Sequence, residues 1–462
     1  MSGNSPRVQR VIDDIESRIA CRTAPPGSRL PSVRAQAKAL AVSASTVVEA
    51  YARLVAQGRL VSRPGAGFYV AATAVAPLKL APQGPPRAPD LDPLWLSRQA
   101  LEADPALLKP GCGWLPPDWL YQIGVRRALR GLARGNGAEL ADYAPPQGSA
   151  ALRQVLVRRL AHSGVEAAAE QLLLTDSGTH ALDLIARVFL SPGDVVLVDD
   201  PCYFNFHTLL SAHRVTLIGV PFTPQGPDLP AFEAALQAHQ PKLYLTNSGL
   251  HNPTGARWSP AVAHRVLLLA EQAGLVIVED DIFHDFELSP APRLAAYDGL
   301  QRVIQTGSFS KTLSASVRCG YIAARPEWLQ QLLEVHIATG FGGNRLAAAL
   351  VLAAITDGGY ARHMEQVRQR LAQRREQCLV RLAALGITPW LRPDAGMFLW
   401  CRLPHGRDAA AVARRSLEQG VVLAPGNAFS PALRAAEFMR FNVSQCDDER
   451  VFAVLRNALR AP

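Results

Sequence analysis

At 462 residues the chain is too long for one ordinary core, and its length points to two to four domains. A composition 48% hydrophobic and 19% charged, with no apolar run of bilayer length and a polar start at Met1-Ser2-Gly3-Asn4-Ser5, speaks against membrane contact or a secretion signal; a cytoplasmic globular protein is expected. The net charge of +9 is uneven: residues 1–75 hold ten Lys/Arg against four Asp/Glu, so a basic head precedes a nearly neutral body and should meet an anionic partner, nucleic acid first.

In the head, Val8, Val11, Ile12, Ile15 and Ile19 fall at helical spacing, and Pro25-Pro26-Gly27 is expected to end this first helix. Ser32 in Leu30-Pro31-Ser32-Val33-Arg34 can cap a second helix reaching about Leu40. Ser43-Ala44-Ser45-Thr46 opens a third, which runs through Tyr51 and Leu54 to Gly58. Two short helices with a tight turn make a helix-turn-helix. Arg59-Leu60-Val61-Ser62-Arg63 and Gly67-Phe68-Tyr69-Val70 read as strands joined at Pro64-Gly65-Ala66, a hairpin that can serve as a wing.

Leu30 to Arg34, Thr46 to Tyr51 and the glycine wing together resemble the winged helix-turn-helix of GntR-type bacterial regulators, over residues 1–72. The resemblance implies double-stranded DNA as partner, an operator with paired half-sites, and contacts from Arg34, Ser43, Ser45, Thr46, Arg63, Gly65 and Gly67. Hydroxyls and free amides at the start of a recognition helix meet phosphates and base edges, while arginines neutralise the backbone. Ala44 departs from the family, whose members often carry a basic residue there.

Residues 73–91 include Pro77, Pro82, Pro85, Pro86 and Pro89 without helical or strand periodicity, and are expected to form a stiff, extended linker. The body, residues 92–462, alternates helical stretches with short apolar runs at 171–175, 194–199, 242–246, 275–280 and 303–306. This pattern argues a mostly parallel sheet in an α/β fold, with chemistry at the carboxyl ends of its strands. Seven scattered cysteines without a C-x-x-C pair indicate neither a disulfide framework nor a metal site, and they are expected to be buried small hydrophobes.

Polar residues gather after these runs. Asp176-Ser177-Gly178-Thr179 opens a helix with free amides, a ready phosphate site. Tyr203 follows the second run, His251-Asn252-Pro253-Thr254-Gly255 the third, Asp280-Asp281 the fourth, and Ser308-Phe309-Ser310-Lys311, with Arg318 seven residues on, the fifth. Only five lysines stand in this arginine-rich chain, and an amine nucleophile cannot be replaced by an always-protonated guanidinium. Taken alone, the Lys311 stretch reads either as an amine beside a phosphate or as a surface turn.

The ordered set resembles the fold-type I pyridoxal phosphate enzymes, the aspartate aminotransferase superfamily, across essentially the whole body, with a small C-terminal subdomain at about 345–462. The resemblance implies pyridoxal 5'-phosphate held as an imine on Lys311, its ring nitrogen on Asp280, its phenolic oxygen on Asn252 and its ring face on Tyr203. Ser177, Gly178, Thr179, Ser308 and Arg318 would clamp the phosphate. Arg440, in Met439-Arg440-Phe441-Asn442, would bind an effector carboxylate. Tyr143 would reach the phosphate of a partner subunit, which implies a homodimer. Phe283 stands where many relatives have a tyrosine, so a donor to the phenolic oxygen is missing. His180, His251 and His284 read as structural or solvent-facing, Asp281 as a loop hydrogen-bonder, and the arginine-rich stretch 365–385 as a solvated helix face.

Head and body together resemble the MocR class of GntR-type regulators, the group of GabR and PdxR. What this implies is a transcriptional regulator that responds to the cofactor or to an amino-compound effector displacing Lys311. The alternative is an aminotransferase with an accessory DNA-binding head.

Overall fold

A computed structural model describes residues 6–21, 23–71, 101, 104, 106–135, 137 and 141–460. The chain divides into two compact units, residues 1–88 and 89–462. The stretch 73–91, expected to be a linker, lies outside the described residues.

The first unit contains α1 (Pro6–Ala20), α2 (Val33–Leu40) and α3 (Ala44–Ala56), then β1 (Leu60–Arg63) and β2 (Gly67–Val70). Val8, Val11, Ile15, Val47, Tyr51, Leu54, Leu60 and Val70 build its core, so the helical periodicity of α1 has a partner surface. α1 ends at Ala20, ahead of the prolines expected to stop it. The Ser32 and Ser43 side chains accept the Ala35 and Thr46 amides, capping α2 and α3, and the chain bends by 113° between those helices through left-handed Ala41. β1 and β2 pair antiparallel from Leu60↔Val70 to Arg63↔Gly67, with Gly65 at φ 72° in the turn, a conformation glycine adopts without strain.

The second unit holds β3 (Leu172–Thr175), β4 (Val195–Asp200), β5 (Thr216–Thr223), β6 (Gly226–Pro227), β7 (Leu243–Thr246), β8 (Val276–Asp280), β9 (Val303–Ser308) and β10 (Gly320–Ala323). They form one eight-stranded sheet in the order β3-β10-β9-β8-β7-β4-β5-β6. β5, β4, β7, β8 and β9 are mutually parallel, while β10 runs antiparallel to both β3 and β9. Alternate residues feed opposite faces: Leu173, Val196, Val198, Leu245 and Ile304 join one core, and Leu174, Leu197, Tyr244, Ile277 and Val303 the other. A smaller antiparallel sheet of β11 (Thr388–Pro389), β12 (Phe398–Arg402), β13 (Ala424–Pro425) and β14 (Phe438–Asn442) runs β11-β12-β14-β13.

Asp281, just past β8, is the loop hydrogen-bonder expected: it accepts from the Gln305 side-chain amide at 3.0 Å, and it is also buried 2.9 Å from the buried Arg293, which meets Glu287 at 2.8 Å. Two expectations are corrected. The arginine-rich helix Tyr360–Ala383 is not simply solvated, because Arg375 is buried on the carbonyls of Gly396 and Asp394 and Arg370 lies over the Trp119 ring. Six of the seven cysteines are buried, but Cys21 is exposed. No single described helix is long and apolar enough to cross a membrane.

Candidate functional site

The carboxyl ends of β3, β8 and β9 open onto one cavity of ≈ 330 Å³. Ser177 follows β3 and caps the helix Gly178–Phe189, its hydroxyl accepting the His180 amide at 3.0 Å. The first free amides of that helix therefore face the cavity with the positive end of the helix dipole. Gly178 packs this turn against the end of β9, with a Cβ position 3.4 Å from the Ser308 Cβ, an ordinary contact distance. Ser308 donates to the Cys319 carbonyl at 3.1 Å and accepts the Ser310 amide at 3.3 Å, which fixes the turn leading to Lys311.

Lys311, Asp280, Asn252, Tyr203, Ser177, Gly178, Thr179, Ser308, Arg318 and Arg440 all line the cavity. Burial brings the Lys311 ammonium down to about 8, with repulsion from Arg440 adding to it, while the Asp280 carboxylate pulls the other way. Burial likewise raises Asp280 to about 6, against stabilising bonds from the Ile282 amide and Asn247. Asn247 donates to the Asp280 carbonyl at 2.7 Å and holds the end of β8 in place. Arg440 donates to Asn252 Oδ1 at 2.8 Å and to the Gly111 carbonyl at 2.7 Å, and burial lowers it to about 10, so it stays cationic near neutral pH. Its guanidinium carbon lies 4.4 Å from the Phe398 ring centre and 4.6 Å from that of Phe429, and its buried Nε has no partner. An orphaned donor on a caged cation is a place for an incoming carboxylate.

This donor set fits pyridoxal phosphate: hydroxyls, free amides and Arg318 for a phosphate, an amine for an aldehyde, and a carboxylate and an amide for a ring. Phe283 also lines the cavity, its ring edge-on to Phe398 at 5.4 Å, and brings no hydrogen-bond donor. Tyr143 is not among the lining residues; it is 81% exposed and rests against Phe341 at 5.8 Å. His180, His251 and His284 lie outside the cavity. His251 is buried under Phe222, pairs with Thr254 at 2.7 Å and lies 3.3 Å from Asp199, bracing the turn that presents Asn252.

Sequence reasoning missed Gly111-Cys112-Gly113-Trp114, Phe204, Asn205 and Ile282 on the cavity wall. The paired glycines of the first group were the only signal. A groove of ≈ 790 Å³ along the helix Pro260–Ala273 is larger, but it brings together no comparable set of amine, carboxylate and phosphate donors.

In the first unit Arg34, Ser43, Ser45, Arg63 and Gly65 are exposed, and Thr46 and Gly67 half-buried. The Ser43 hydroxyl lies 2.9 Å from that of Ser45 and 2.7 Å from that of Thr46, so the three hydroxyls cluster at the start of α3. Arg63 lies over the Tyr69 ring at 4.5 Å, and Arg29, unremarked in the sequence, sits 3.6 Å from where a Gly67 Cβ would be.

A mixed sheet with a lysine beyond β9 facing an aspartate at the end of β8, in a chain that begins with a winged helix, defines a regulator-type head on an aminotransferase-type body. Residues 122–457 match the family model for aminotransferase class I and II, and residues 7–70 that for bacterial regulatory proteins of the gntR family. The chain belongs to the aminotransferase class I and II family, in the MocR-type arrangement with a GntR head.

The uncharacterized HTH-type transcriptional regulator YdcR of Escherichia coli (strain K12) is 27% identical over 448 residues, covering 95% of each chain. The 2-aminoadipate transaminase of Thermus thermophilus is 29% identical over 365 residues, 77% of this chain and 90% of that enzyme. Among solved structures, LysN, an alpha-aminoadipate aminotransferase from Thermus thermophilus complexed with N-(5'-phosphopyridoxyl)-L-leucine, superposes with a TM-score of 0.71. It is 27% identical and covers 79% of this chain and 94% of its own.

Proposed function

We propose that this protein is a transcriptional regulator that binds promoter DNA through its head, holds pyridoxal 5'-phosphate on Lys311, and responds to an amino compound carrying a carboxylate. One observation carries the reading: Lys311, Asp280, Asn252, Arg318 and Arg440 converge on one cavity, in a chain whose first unit exposes a capped recognition helix.

When bound, the cofactor supplies an aldehyde that exchanges one amine for another and a ring that draws electrons from the attached carbon. The chain supplies the rest. Ser177, Gly178, Thr179, Ser308 and Arg318 hold the phosphate, and Tyr203 covers one ring face. Asp280 keeps a proton on the ring nitrogen, and Asn252 donates to the phenolic oxygen. Lys311, lowered to about 8, reaches its neutral form near physiological pH and is the amine an effector displaces. Arg440 takes the effector carboxylate, so recognition needs an amine and a carboxylate together. In a homodimer, Tyr143 of the partner subunit completes the phosphate site. The head meets operator half-sites with Arg34, Ser43, Ser45, Thr46, Arg63, Gly65 and Gly67.

The full set of lysine, aspartate and carboxylate arginine also favours a second reading, an aminotransferase with an accessory DNA-binding head. Phe283, which leaves the phenolic oxygen without a hydroxyl donor, weighs against efficient turnover. Lys311→Ala tests the assignment: the purified variant is expected to lose the visible absorbance of the cofactor while keeping salt-sensitive DNA binding. Retention of that absorbance would reject Lys311 as the attachment point.

A further inference from the structure

The core of the head takes one side of α3, through Val47, Ala50, Tyr51 and Leu54, and the opposite side faces away from it. On that outer side Ala44, Val48 and Ala52 follow one another at four-residue steps, so they lie in line about one turn apart. All three are exposed, and Val48 keeps 52% of its surface accessible. The same helix begins with the clustered hydroxyls of Ser43, Ser45 and Thr46.

The polar side chains farther along α3 do not offer base recognition of the usual kind. Its two charged residues, Glu49 and Arg53, engage each other at 2.6 Å. Its sequence holds no Asn, Gln or Lys, and its first two turns hold no Arg. Those are the side chains that form paired hydrogen bonds to guanine or adenine edges in the major groove. What the groove offers to an apolar side chain is the C5-methyl group of thymine. Charge for the phosphates lies off this helix, on exposed Arg34 in α2 and exposed Arg63 at the end of β1.

We propose that Ala44 and Val48 are specificity-determining residues of the head and read thymine methyl groups in the major groove of the operator. This rests on the DNA-binding reading above and names what the head recognises. The second helix of a helix-turn-helix enters the major groove with its N-terminal residues against base edges. Ala44 and Val48 then meet thymine methyls, and water leaves both apolar surfaces. Val47 cannot share this role, because it is buried in the core of the head. Serine and threonine hydroxyls bond to either kind of base edge, so Ser43, Ser45 and Thr46 add affinity with little preference.

The test uses the full, cofactor-loaded chain and a DNA duplex selected in vitro for binding to it. Thymines are replaced one at a time by deoxyuridine, which lacks only the methyl group. At one or more positions of each half-site the replacement should weaken binding by about 4-fold, the weight of one buried methylene-sized group. Val48→Ser should bring that ratio close to one for the thymine it faces, while Val48→Thr, which keeps a methyl, should retain part of it. A Val48 that only supported the fold would, on replacement, weaken binding to both duplexes alike and leave the ratio unchanged. The proposal is overturned if no thymine methyl matters, or if Val48→Ser keeps every ratio. A selection that yields no duplex bound in a salt-sensitive way would reject the DNA-binding reading itself, and the methyl readout with it.

Discussion

Lys311 and Asp280 are tuned in opposite directions by the same burial, the lysine down to about 8 and the aspartate up to about 6. An amine attacks an aldehyde only when neutral, so the rate at which the cofactor-free chain captures pyridoxal phosphate should rise with pH and level off above about 8. Asp280 is charged only above about 6, so retention of the cofactor on dialysis should weaken as pH falls through that value. Absorbance against pH checks both limbs; a capture rate flat between pH 6 and 9 would contradict the first. At this scale the residues that follow strand ends were readable from their order alone, because an open α/β sheet delivers its loops to one edge. Gly111 to Trp114 were not, since they come from a segment without periodicity that meets Arg440 only through the tertiary fold.

At the level of elements, α3 presents hydroxyls at its start, β1 ends on Arg63, the turn after it holds Gly65, and β2 opens on Gly67. If Arg34 and Arg63 contact phosphates, replacing either with alanine should weaken binding about equally across DNA sequences. It should also reduce the slope of log affinity against log salt by about 1. An unchanged slope would remove that residue from the interface. Arg293 is an element-scale prediction of another kind: it is buried between Asp281 and Glu287, just beyond β8, and Arg293→Ala leaves two carboxylates facing each other. Breaking a buried pair in this way costs about 3–5 kcal/mol, to be read as a lowered denaturation midpoint; a loss below about 1 kcal/mol would mean the carboxylates find other partners. The apolar runs of β3, β4, β7, β8 and β9 were legible as buried strands. β5 was not, because Gly219 and Pro221 interrupt it, and β10 is four residues long and starts only two residues after Arg318. Its antiparallel pairing with β3 and β9 is a tertiary outcome that no local pattern encodes.

For the whole molecule, two compact units match two family models, a gntR-type head and an aminotransferase-type body. The exposed aromatic pair of Tyr143 and Phe341, 81% and 70% accessible, is a surface that a second copy would cover in the proposed homodimer. The regulatory reading and the enzymatic one diverge on a single point, whether an amino compound that reaches Lys311 and Arg440 is converted or only held. The decisive measurement is the visible spectrum of the cofactor-loaded full chain during titration with a panel of amino acids and amines, with keto acid and aldehyde products assayed in the same samples. A spectral change that saturates with a carboxylate-bearing amine and yields no more product than there are sites is the predicted result. Sustained product formation over many turnovers would contradict it and make the body a working aminotransferase.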